Sequence, residues 1–119
     1  MAAGSKKPTV DIEFPIYIET DWCEEDTMFR YCYAELGQEG IELRQKLIDY
    51  TLANGSDYGG YYSVELPGEI IVVNDLETVF IYVEVMVVDG GYVVNAYGLG
   101  NQFMEIYEDG SIMIEDIIM

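Results

Sequence analysis

The chain has 119 residues, with 23 Asp and Glu against 5 Lys and Arg, a formal net charge of −18 at pH 7, 50% hydrophobic residues and no histidine. These counts exclude imidazole as a general base or metal ligand, and they exclude direct binding of nucleic acid, which needs clustered Lys and Arg against phosphate. The apolar content allows a folded core, so the acidity is not that of a disordered tail, and the length fits one domain.

Met1 to Pro8 carry Lys6 and Lys7 with no apolar run after them, and read as a flexible arm at 1–8 before a single domain at 9–119. Thr9 to Glu19 alternates: Val10, Ile12, Phe14, Ile16 and Ile18 on one side, and Asp11, Glu13, Pro15, Tyr17 and Glu19 on the other. That predicts a strand with one buried face, at an edge or with a bulge, because Pro15 has no N–H for a ladder. Asp21 stands three residues before Glu24 in the manner of a capping box. Trp22, Phe29, Cys32, Tyr33 and Leu36 then fit a helical stripe. The segment also fits a strand, since Phe29, Tyr31 and Tyr33 alternate with Arg30 and Cys32; helix is the preferred reading.

Gly37 to Gly40 breaks the chain. Ile41 to Ala53 is helical, with Ile41, Leu43, Leu47, Ile48, Tyr50 and Leu52 as its stripe and Asn54-Gly55 as its stop. No positive side chain follows Lys46. The second half reads as strands: Tyr61–Leu66, a turn at Pro67-Gly68, Glu69–Val73, a turn at Asn74-Asp75, then Thr78–Val88. Asp89-Gly90-Gly91 closes a hairpin to Tyr92–Tyr97, and Phe103–Tyr107 pairs with Ser111–Ile114 around Glu108-Asp109-Gly110. The expected fold is α+β: a mostly antiparallel sheet of about five to six strands packed on one or two helices, with Val79–Val87 near its centre because both faces are largely apolar. The apolar end, Ile112 to Met119, is read as a buried last strand; as an exposed edge it would instead give a homodimer.

Cys23 and Cys32 are 9 positions apart. That is about 13 Å on one helix and more on one strand, too far for a bridge within one element. Reduced thiols and a cytoplasmic location are therefore expected. The longest apolar run, Thr78 to Val88, contains Glu84 and is too short to span a bilayer.

Carboxylates are the chemistry this chain has to offer. Neighbours such as Glu24-Glu25-Asp26 and Glu115-Asp116 point apart on any regular element. Asp89-Gly90 and Asp109-Gly110 lack the spaced oxygens of a calcium loop and suit hairpin turns. No enzyme, metal or cofactor is expected. On the first strand, Asp11, Glu13 and Glu19 share a face whose neighbouring positions lie about 7 Å apart, comparable with phosphates along a DNA strand. Together with Asp21, Glu24, Glu25, Asp26, Glu108 and Asp109 they are the candidate contacts to a basic surface. Tyr58 and Tyr61, in the aromatic segment Tyr58-Gly59-Gly60-Tyr61-Tyr62, are the candidate anchors. The expected function is that of a small acidic inhibitor, a nucleic-acid mimic. It would occupy the basic nucleic-acid-binding surface of a nucleic-acid-processing enzyme or nuclease, without binding nucleic acid or membrane itself. Phage and mobile-element counter-defence proteins, such as anti-restriction and anti-CRISPR inhibitors, share this size and charge; the analogy is compositional and carries over no residue. The alternatives are an immunity protein neutralising a basic nuclease toxin, and a carboxylate-based metal-binding module or enzyme.

Overall fold

A computed structural model describes residues 12–73 and 78–117. The expected arm at 1–8, Asp11, the turn at Asn74-Asp75 and the last two residues lie outside the described residues. In chain order the elements are β1 (Ile16–Glu19), β2 (Trp22–Asp26), β3 (Phe29–Glu35), α1 (Gln38–Asn54), β4 (Ser56–Asp57), β5 (Tyr61–Val73), β6 (Thr78–Val88), β7 (Gly91–Gly98), β8 (Phe103–Ile106) and β9 (Ser111–Ile117). The strands form one 9-stranded sheet in the order β1-β5-β6-β7-β8-β9-β3-β2, with β4 also beside β5. β1 runs parallel to β5, and the other pairings are antiparallel.

This corrects the expected five- to six-stranded antiparallel sheet on one or two helices. Residues 22–36 are a two-stranded hairpin, not a helix, with Asp26 opposite Phe29. The alternation of Phe29, Tyr31 and Tyr33 with Arg30, Cys32 and Ala34 prevails, because β3 finds a second partner in β9 along its whole length. Aromatic and β-branched side chains favour a pleated surface once such neighbours exist. Asp21 therefore caps no helix; its carboxylate accepts from the Glu35 N–H at 2.6 Å. Pro67-Gly68 is not a turn but lies in an irregularity inside the continuous strand β5, between Glu65 and Ile70. Proline is tolerated at such a bulge, and Gly68 leaves room for the Phe14 ring, into which a Cβ would run. β9 is not an edge, because β8 and β3 flank it.

The helix follows from its own pattern. Leu47, Ile48 and Thr51 are buried, while Glu42, Gln45 and Asp49 face solvent. Its first turn approaches the β8–β9 turn so closely that a Cβ on Gly40 would strike the Gly110 carbonyl. Arg44 ties the helix to the sheet: Nη2 donates to the Tyr92 carbonyl at 2.6 Å and Nε to the Ile106 carbonyl at 3.2 Å. Leu47 and Ile48 pack with Cys32, Ala34, Ile114, Met104, Val94 and Val83, among others, in one core. Among the described residues no helix is long and apolar enough to cross a membrane.

The sheet must curl. Laid flat, eight strands with seven gaps of about 4.8 Å would separate β1 from β2 by about 34 Å. Only Thr20 and Asp21 join those two strands, a span of at most about 11 Å. The sheet's two ends are thus drawn together, with the helix and core on the inner face.

Candidate functional site: the outer face of the sheet

Strand register assigns each side chain to a face, because neighbours in a strand alternate and cross-strand partners share a side. The core residues Cys32, Ile114, Met104, Ala96 and Val83 form one inner row across five strands. Two rows run across the other face. The first is Glu24, Tyr31, Glu115, Phe103, Tyr97, Tyr82 and Glu65, from β2 through to β5. The second is Trp22, Tyr33, Met113, Glu105, Asn95, Glu84 and Ser63 over the same strands. None of these residues belongs to the core cluster. The face is therefore a lattice of aromatic rings interrupted by carboxylates.

The rings support one another. Trp22 stacks on Tyr33 with centroids 4.3 Å apart, and Tyr97 leans on Phe103 at 5.5 Å. The Tyr97 hydroxyl donates to Glu84 Oε1 at 3.3 Å. Tyr61, at the start of β5, also hydrogen-bonds Glu84, which with partial burial and the nearby charge pushes its hydroxyl pKa up to about 12. Burial, then the Glu84 charge, raises Tyr97 as well. Burial followed by the charges of Glu115 and Asp26 raises Tyr31. At neutral pH all three phenols are hydrogen-bond donors beside carboxylates. Asn95, only 6% exposed, stands between Glu84 and Glu105, and its Oδ1 has no hydrogen-bond partner.

No protein-family model matches the chain, and no curated protein or solved structure matches it at a significant level. The site is accordingly read from its own residues.

The sequence-derived candidates are dispersed. Glu13 and Glu19 are exposed, but only Glu19 lies in a regular strand, so no straight carboxylate ladder runs along residues 11–19 among the described residues. Both line a groove of about 1310 Å³ between β1 and the exposed side of α1, whose apolar floor includes Ile16 and Leu43. Asp21 is taken up by the Glu35 N–H. Glu24, Glu25 and Asp26 sit on the edge strand β2, and alternation puts Glu24 and Asp26 on the outer face. Tyr58 is exposed near the β5 end of that face, its ring 6.1 Å from that of Tyr61. Glu108 and Asp109 form the β8–β9 turn; Asp109 accepts from the Ser111 N–H and hydroxyl, which lowers its pKa and marks it as a turn residue. Glu84, Asn95 and Glu105 were missed. Their signal was available, since each is the one carboxylate or amide side chain in a mostly apolar strand.

Among the described residues, basic side chains are withdrawn from this face. Arg30 is 5% exposed and in register with Asp116 and Glu25, on the core side of β3. Arg44 is held by main-chain carbonyls, and Lys46 lines the groove by the helix. Cys23 and Cys32, expected as free thiols, are direct cross-strand partners joined by a disulfide, with Cα atoms 4.1 Å apart. The nine-residue separation is bridged by folding back, not along one element. Among the described residues no group of three or more acidic or thiol ligands is placed to hold a metal ion.

Proposed function

We propose that the protein is a small acidic inhibitor whose outer sheet face docks on the basic, nucleic-acid-binding surface of a target protein. One observation carries this reading: two rows of Tyr, Phe and Trp interleaved with Glu across seven strands, with the Arg and Lys of the described residues placed elsewhere. Rigid aromatic rings supply desolvated contact area at little entropic cost. The carboxylates between them pair with Arg and Lys and accelerate encounter through long-range attraction. A partner so bound would lose access to nucleic acid by steric and electrostatic competition.

The test is affinity capture followed by competition. The expected partner is a basic protein that is released by raising sodium chloride and is displaced by added nucleic acid. Combined Tyr31→Ala and Glu115→Gln changes should abolish its capture. A neutral or acidic partner, or a complex indifferent to both salt and nucleic acid, would refute the proposal. A captured nuclease toxin would make the protein an immunity protein acting through the same face. The cytoplasmic location expected from free thiols is at odds with the Cys23–Cys32 bridge, which favours an oxidising compartment; cell fractionation decides between the two.

A further inference from the structure

We propose that the groove between β1 and α1 is a docking site for a basic amphipathic helix of a partner protein. It lies on the helix side of the sheet, so the inference stands apart from the outer face and does not rest on the function proposed for that face. One wall is the stretch from Ile12 through β1, and the other is α1 itself, from Glu39 to Ala53. Along the helix Glu39, Leu43, Lys46, Asp49 and Ala53 recur at steps of three and four residues and so share one stripe. That stripe runs for about 21 Å, close to four turns.

Floor and rim differ in chemistry. Ile12, Ile16, Leu36 and Leu43 are half-buried: each packs against the core on one side and meets the groove on the other. Water held on such side chains is released when a second apolar surface covers them, and an apolar patch bordered by polar groups marks a place of association. The rim is acidic. Among the described residues Glu13, Glu19, Glu39, Glu42 and Asp49 border the groove against one cation, Lys46, and all of these carboxylates are exposed. The matching occupant is therefore apolar along one side and cationic along its flanks.

Size and backbone chemistry narrow its form. The groove's volume of about 1310 Å³ exceeds the roughly 300–1,000 Å³ of small-molecule pockets, so it fits a chain segment better than a metabolite. An extended segment would leave its N–H and C=O groups unpaired over a floor of side chains, whereas a helix satisfies them internally. Apolar residues at i, i+3, i+4 and i+7 of that helix would meet the floor, and Lys or Arg beside them would meet the rim. A second copy of this chain does not qualify. The exposed stripe of its α1 carries Glu39, Glu42 and Asp49, which would set like charges against the rim.

The experiment titrates the whole protein with a synthetic helical peptide that carries leucines at this spacing and lysines on either flank. It follows the peptide's fluorescence anisotropy and, by NMR, the methyl signals of Ile12, Ile16, Leu36 and Leu43. These methyls should shift selectively. A peptide of the same composition in scrambled order, and one with its lysines replaced by glutamates, should each bind at least about tenfold more weakly. Combined Glu42→Lys and Asp49→Lys changes, both at exposed positions, should weaken the original peptide at least about tenfold, and Leu43→Gln should weaken it as well. The charge reversals keep the test open if Leu43→Gln fails to fold. Asp89→Asn, in the β6–β7 turn, should change nothing. Equal binding of the scrambled peptide, shifts spread evenly over the acidic surface, or binding that requires removal of residues 1–8, because the chain's own lysines fill the groove, would each overturn the inference. The Tyr31 and Glu115 changes that test the outer face leave this groove intact, so the two readings fail separately.

Discussion

Arg44 offers the sharpest test of how the helix is held. Its guanidinium bridges two strands, donating to the Tyr92 carbonyl on β7 at 2.6 Å and the Ile106 carbonyl on β8 at 3.2 Å. Hydrogen bonds from a charged donor contribute about 1.5–3 kcal/mol each. The longer bond belongs at the low end, and the half-buried setting lets water replace part of what is lost. Arg44→Met keeps the aliphatic stem and removes both bonds, so a loss of about 2–4 kcal/mol is expected. With a urea slope of about 1.5 kcal/mol/M, the unfolding midpoint should fall by about 1.3–2.7 M. Arg44→Lys keeps the charge but cannot bridge both carbonyls, and should recover at most half of that loss. A midpoint within about 0.3 M of the parent for Arg44→Met would refute the reasoning. Full recovery by Arg44→Lys would show that charge, not the two-strand bridge, matters.

Three further outcomes are expected. Raising sodium chloride from about 20 to 500 mM shortens the screening length from about 20 Å to about 4 Å, so the melting temperature should rise by about 4 °C per kcal/mol of carboxylate repulsion relieved; an unchanged value means that the carboxylates barely interact. Replacing both Cys23 and Cys32 by Ala should cost about 2.6 kcal/mol, the loop-closure entropy for their 9-residue separation, and two titratable thiols in the unreduced, denatured protein would disprove the bridge. Tyr61 has a folded pKa raised to about 12 from the usual value of about 10. Its bond to Glu84 should stabilise the fold fully below pH 10, and the contribution should fade as pH rises through 12. Tyr61→Phe should therefore be less stable than the parent at pH 8 and equal to it above about pH 12, and a difference that persists there would contradict the assignment.

The elements legible in the sequence are those whose signal is local. The helix, expected over Ile41–Ala53 and observed over Gln38–Asn54, is defined by its stripe and by the glycines at either end. β6 coincides with the expected Thr78–Val88 because a long apolar run bounded by polar turns suits a central strand. Residues 22–36 were misread because Trp22, Phe29, Tyr33 and Leu36 satisfy a helical spacing, while the deciding influence, the partnership of β3 with β9, lies some eighty residues away. Pro67-Gly68 carries the composition of a turn, and only the ladder on β6 shows that the strand continues through it. The binding face is less legible still. Its rows exist only once seven strands are in register, so Tyr31, Phe103 and Tyr82 look unrelated in the sequence although they share one line across the sheet.

The short tie at Thr20-Asp21 bears on how this molecule avoids its own kind. A sheet of this size has two borders whose unsatisfied N–H and C=O groups could recruit another copy and begin fibril growth. Here the borders are brief strands, β1 of 4 residues and β2 of 5, and the second is mostly Glu and Asp. A neighbouring chain laid antiparallel along β2 would set carboxylate against carboxylate at cross-strand distance. The negative charge that suits the protein to a cationic target thus also protects it from assembling with itself.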